Sequence, residues 1–313
     1  MAYQRTEYPQ WSWSSSRKST FTECHRKYYY NYYLSHNGWE NDAPEEAKRV
    51  YKLKNLDGIH LLFGSAIHEV AEEICRAAVS SQEIPGIQTV KDKIRDILNK
   101  AWKESKEPHL WESNPKKYSM LFSFYYGSGL NENTIDKIKG KMDKAIPNLF
   151  SSDTVKEISS SDDYEIKIAE SMDTFEMFDT AIYAIPDLVL KRPDGKWVVV
   201  DWKTGKEHDS HPNQINIYAL YLKEKWGIKE KDLTGRVEYL VTGKSVDVPI
   251  DKKSISQTCK EIEKSINEMK GFLKDPDNNI PFEKEKYPLA KHRNFCKWCN
   301  FYELCEKELK AAR

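Results

Sequence analysis

Apolar residues recur along the chain in a helical rhythm up to about residue 150 and mostly in a strand-like rhythm from there to about 250. Between 61 and 78 the apolar positions 63, 67, 70, 71, 74 and 78 fall on one stripe of a helix. Ile94, Ile97, Leu98 and Trp102 mark a second helix, and Ile135, Ile138, Met142, Ile146 and Leu149 a third, expected to end near Pro147. Serine-rich connectors at 151–153 and 159–163 close this part. Residues 81–160 are therefore expected to form a helical insertion within one domain spanning 1–313, a lid or channel wall without catalytic residues. Alternation resumes over Tyr164–Ala169 and Phe175–Ala184, and the runs Leu188–Leu190 and Val198–Val200 flank the turn Pro193-Asp194-Gly195. A helix from His211 to Trp226, a strand pair Val237–Val241 and Ser245–Ile250, and a charged helix from about Ser254 to Leu273 follow, which together predict an α/β fold.

The hairpin about Asp194 is the chemically informative stretch. Asp187 and Asp201 are each seven residues from Asp194, so the turn sets them opposite one another on paired strands. Side chains alternate along a strand, so Asp201 and Lys203 share a face. Two carboxylates and an ammonium at one end of a hairpin can hold a hard divalent cation and orient water against a phosphodiester.

Composition narrows the partners. With 49 basic and 49 acidic residues among 313, the chain has no global attraction for nucleic acid, so local patches must supply any such binding. One candidate patch is the N-terminal segment, where Ser19 or Thr20 is expected to cap a helix with Glu23 in its first turn. Arg17, Lys18, Arg26 and Lys27 lie there beside tyrosines 28, 29, 30, 32 and 33. Such a mixture suits single-stranded nucleic acid, and equally a tyrosine-rich core face. The apolar runs are too short for a membrane span, and the N-terminus is polar and aromatic where a signal peptide would be apolar. The protein is expected to be intracellular, in the cytoplasm, where its six cysteines would serve as metal or cluster ligands before disulfides.

Pro186-Asp187, Asp201-Trp-Lys203 and Gln214-x-x-x-Tyr218, in that order, resemble the PD-(D/E)XK nuclease superfamily in its RecB-like branch. Gly64-x-x-x-His68-x-x-x-Glu72 is similar to the first motif of that branch, which makes His68 an expected metal ligand and leaves Glu72 a weaker candidate. The resemblance implies a restriction-endonuclease-like core, a mixed and largely antiparallel sheet flanked by helices. It also implies that Gln214 and Tyr218 lie beside Lys203 and contact the substrate strand.

Cys296-x-x-Cys299 followed by Cys305 can bite a single metal centre. Cys24, in Cys-His-Arg-Lys-Tyr-Tyr, resembles the upstream ligand of the iron-sulfur members, the AddB-type nuclease domain and the CRISPR-associated RecB-like exonucleases, although His25 stands where they have proline. The resemblance implies a [4Fe–4S] cluster on Cys24, Cys296, Cys299 and Cys305 that pairs the segment 291–313 with Cys24. Four thiolates suit structural zinc as well. Cys75 and Cys259 fit as small core residues.

The expected activity is Mg²⁺- or Mn²⁺-dependent hydrolysis of DNA, as an exonuclease on single strands or ends, in repair, recombination or defence. Asp187, Asp201 and His68 would hold the metal, the Trp202 carbonyl adding a ligand, and Lys203 would act on the water or phosphate. The rival is a silent DNA-binding or scaffold subunit of a larger helicase–nuclease or CRISPR-adaptation complex. No Gly-x-x-x-x-Gly-Lys-(Ser/Thr) loop is present, so strand separation would need a helicase partner.

Overall fold

The computed structural model describes residues 5–127, 129–160, 163–167, 173–208 and 211–311. Its centre is a five-stranded sheet in the spatial order Glu165–Lys167, Leu188–Lys191, Trp197–Lys203, Leu233–Tyr239, Lys244–Val248. All neighbours are antiparallel except Trp197–Lys203 against Leu233–Tyr239. That one parallel step needs a crossover, which the helix His211–Trp226 supplies. The turn about Asp194 closes with Gly195 at φ +80, a conformation glycine adopts without strain, and its N–H donates to the Arg192 carbonyl. Leu188 then pairs with Val200 and Lys191 with Trp197, so the next pair outward is Asp187 and Asp201.

Alternation along these strands sorts two cores. Leu188, Leu190, Val198, Val200 and Trp202 pack on the helix Ile59–Val79 through Phe63, Ile67 and Ile74. Val189, Val199 and Val237 pack on the other face against Ile215, Leu222 and, from the helix Lys252–Lys270, Ile262 and Ile266. Within residues 81–160, the helices Ile87–Glu104, Glu132–Phe150 and Asp153–Ile158 share the first of these cores, through Ile94, Ile146 and Val155. Pro147 does not end its helix, which runs on to Phe150. Buried Ile146 and Leu149 and the bond from Asn148 Nδ2 to the Leu240 carbonyl, 2.8 Å, hold that last turn through tertiary contacts.

A smaller sheet joins Ser12–Ser14, in parallel, to the hairpin Thr174–Met177 and Thr180–Tyr183. The N-terminal helix begins earlier than the caps at Ser19 or Thr20 would place it. It spans Ser15–Glu23, with the Ser14 side chain accepting from the Arg17 N–H. Cys24 breaks it in an extended conformation, and a second helix, His25–Tyr29, widens into a π-turn over Tyr30–Leu34. These turns pack with the far end of the chain in a third core that holds Tyr30, Val50, Trp111, Phe301, Cys305 and Leu309. No helix of the described residues is long and apolar enough to cross a membrane.

Candidate active site

The hairpin end is cross-linked before any ligand is considered. Asp187 Oδ2 accepts from the Trp202 backbone N–H at 2.8 Å, tying the two strands together just beyond their last ladder pair. Its Oδ1 lies 3.1 Å from His68 Nδ1 on the long helix. That helix comes close to the end of the strand Trp197–Lys203 at Gly64, where a Cβ would meet Thr204 Oγ1 at 3.3 Å. Asp201 is 1% exposed and faces the helix His211–Trp226. There Lys203 Nζ sits 2.7 Å from Asp201 Oδ2 and donates to Gln214 Oε1 at 3.0 Å. Gln214 Nε2 donates to the Tyr218 hydroxyl, which donates to Asp201 Oδ1 at 3.4 Å. Lys203, Gln214, Tyr218 and Asp201 thus close a ring of polar contacts.

The electrostatics are those of a site short of positive charge. Burial, and then the negative charge of Asp187, push the Asp201 carboxyl up to about 6 against the pull of Lys203. Burial alone would lower the His68 imidazole, but its bond to Asp187 and the charges of Asp187 and Asp201 outweigh that and raise it. Asp201 Oδ2, despite its ion pair, is a buried atom without an aligned hydrogen-bond donor. An orphaned carboxylate oxygen beside a second carboxylate suits a hard cation. Among the described residues, no three His, Cys, Asp or Glu side chains already form a closed metal cage.

Sequence reasoning overlooked Glu238. It is 2% exposed, lies beside Trp202 in the parallel register, and accepts from Trp202 Nε1 at 2.8 Å and from the Thr154 N–H at 2.9 Å. It therefore fixes the Trp202 indole on the face of the sheet opposite Asp201 and Lys203. A glutamate inside the apolar run Val237–Val241 was the available signal. Glu72 stays outside this group, its carboxylate bound to Arg76 at 2.9 Å.

The N-terminal cations require correction. Arg17 is 3% exposed; its Nε donates to the Tyr28 hydroxyl at 3.2 Å, and its guanidinium lies 4.5 Å from the ring centres of Trp11 and Tyr32. Arg26 is 4% exposed and donates to the Tyr287 carbonyl at 2.7 Å and to Glu308 Oε1 at 2.8 Å. Buried and spent on these partners, neither can reach a phosphate. Lys27 pairs with Glu23 at 2.9 Å, and Lys18 lies 3.9 Å from Glu261.

The cysteines share the end where Arg26 is bound. Cys24 caps the helix His25–Tyr29, its Sγ accepting from the Lys27 N–H at 3.4 Å, and Cys299 N–H donates to the Cys296 carbonyl across the turn Arg293–Trp298. Burial pushes the Cys299 thiol up to about 11 and Cys305 up to about 12, and the charge of Cys24 adds to both and to Cys296. Cys24, Cys296, Cys299 and Cys305 thus share one end of the molecule, without forming a closed metal cage among the described residues. Cys75 is fully buried and Cys259 half-buried, both in apolar surroundings.

Paired carboxylates and a lysine at the end of a hairpin, in a mixed sheet between helices, define a nuclease-type phosphodiesterase. The chain belongs to the PD-(D/E)XK nuclease superfamily, whose family model matches residues 12–306. That family uses divalent metals such as Mg²⁺ and acts on nucleic acid. No curated protein matches the chain.

Proposed function

We propose that the protein is a Mg²⁺- or Mn²⁺-dependent deoxyribonuclease of the RecB-like branch, acting on single-stranded DNA or DNA ends, with a [4Fe–4S] cluster on Cys24, Cys296, Cys299 and Cys305. The observation that carries the reading is the ring joining Asp201, Lys203, Gln214 and Tyr218, with Asp187 and His68 at its edge. Asp187 and Asp201 would hold the cation through oxygen, with His68 beside them. When bound, a divalent cation supplies positive charge to the phosphate and acidifies water. Gln214 holds the Lys203 ammonium at a fixed point, where it orients the attacking water and balances charge growing on the phosphate. Tyr218 stays a neutral hydroxyl, since burial and the charges of Asp201 and Asp187 hold its ionisation far above the ordinary value. Its part is to position Asp201. Incubating labelled single- and double-stranded DNA, linear and circular, with Mg²⁺, Mn²⁺ or EDTA tests the proposal. Cleavage of linear single strands that EDTA abolishes is expected, and cleavage persisting in EDTA refutes the metal site.

A further inference from the structure

The short turn Arg293–Trp298, which links Cys296 to Cys299, directs two large rings outward. Phe295 keeps 69% of its surface exposed and Trp298 67%. Such rings are ordinarily buried, as Tyr287 and Phe301 on the same stretch are. The charge of this stretch is as uneven as its exposure. The whole chain is balanced, yet no Asp or Glu occurs between Lys286 and Tyr302, a stretch that holds Lys291, Arg293 and Lys297; across the fold, Glu23 comes within electrostatic range of Cys296 and Cys299. Lys297 Nζ lies 5.4 Å from the centre of the Trp298 ring.

This patch is linked through Phe122 to the residue just ahead of the long helix. The Phe122 ring lies 6.2 Å from that of Trp298, centre to centre, and the Phe122 N–H donates to the Asp57 carbonyl at 2.8 Å. Asp57 precedes Gly58, the N-cap of the helix Ile59–Val79 that carries His68. From Ile59 to His68 the helix rises about 14 Å, a distance a few nucleotides span.

We infer that Phe295 and Trp298 are a stacking platform for the bases of a single strand, with Lys291 and Lys297 on its phosphates. The inference rests on the nuclease reading only in taking nucleic acid as the ligand. A single strand offers bare ring faces and negative charge together, which matches two exposed rings on a stretch whose own charged residues are all cationic. A duplex keeps its ring faces stacked inside, so the platform discriminates against it. A protein partner could also cover two aromatic rings, and the binding contrast below separates the two.

The test measures binding of a fluorescein-labelled oligodeoxythymidine and of a duplex by the full-length protein, without Mg²⁺ or Mn²⁺ so that nothing is cut. Phe295→Ala/Trp298→Ala should weaken single-strand binding at least about tenfold while leaving duplex binding and the salt slope unchanged. Lys291→Gln/Lys297→Gln should lower the slope of log affinity against log salt by about 1.4, two phosphate contacts on a single strand. Trp298→Tyr should retain binding and Trp298→Leu, which keeps bulk without a π-face, should lose it; this pair decides the matter even if the alanine variant loses metal. Unchanged single-strand affinity in the aromatic variants, or an equal loss for duplex and single strand, overturns the platform and returns the rings to a protein partner. Failure of the wild type to cut DNA with Mg²⁺ or Mn²⁺ would instead sink the nuclease reading, and the binding contrast would still be decided.

Discussion

The carboxylate site and the cysteine end solve opposite problems. At the hairpin, the protein has already fixed its charged groups: Asp187 is held by the Trp202 N–H and His68, Asp201 by Tyr218 and Lys203, and Lys203 by Gln214. At the cysteine end, burial keeps Cys299 and Cys305 protonated, and protein contacts such as Arg26 with Glu308 join the two termini. One region is organised before its ligand arrives, and the other is gathered but uncommitted. Activity should therefore depend on the first region's chemistry directly, while for the second the dependence runs through the fold.

The sharpest way to break this contrast is at Asp201 and Lys203. Asp201→Asn should abolish cleavage. Lys203→Ala should lower kcat about 100- to 1000-fold, the usual loss on removing one aligned charge donor, with a melting temperature close to wild type. A large drop in melting temperature for Lys203→Ala would erase the distinction between the regions. At the other end, Cys24→Ser should lose iron (or zinc, if zinc is the native metal), melt several degrees lower and lose activity only in proportion to unfolding. Metal analysis with thermal unfolding checks this, and full metal with unchanged melting contradicts it. Glu238→Gln sharpens the first region's description, because an amide has one acceptor oxygen for two donors, Trp202 Nε1 and the Thr154 N–H. A loss of about 1–3 kcal/mol in folding stability, the cost of one unmet buried group, is expected, and urea unfolding of the variant reads it.

The smallest effect concerns pH. Asp201 titrates above its unfolded value, so its contribution is fully present below about pH 4 and is lost as pH rises through about 6. Without divalent cation, the wild type should lose stability relative to Asp201→Asn over that window, and Mg²⁺ or Mn²⁺ should close the gap. Urea unfolding of both proteins at pH 4 and pH 7, with and without the cation, gives the comparison.

What was legible in the sequence was local. The spacing of Asp187 and Asp201 about Asp194 needs only a turn and a two-residue period, and the register delivers it. The helix His211–Trp226 was readable from Ile215, Tyr218, Ala219 and Leu222 at helical spacing, although the fold buries every position from Ile215 to Leu222 and not that face alone. Arg17 and Arg26 were misjudged because their surroundings are remote: whether Arg26 meets solvent depends on Tyr287 and Glu308, 261 and 282 residues away. Glu238 was hidden because its partner Trp202 is set by a parallel register that only the crossover helix creates. Pro147 misled because packing held a turn that the local rule would have ended.

The bond between Arg26 and the Tyr287 carbonyl also bears on synthesis. At about 5–20 residues per second, the 261 residues between them take roughly 13 to 52 s to be made. For most of that interval the tyrosine-rich turns Cys24–Leu34 exist without the Tyr287 carbonyl and the Glu308 carboxylate that bind Arg26. The first helices to emerge must be among the last to settle, and a chain cut short before Tyr287 leaves them exposed to chaperones and proteases.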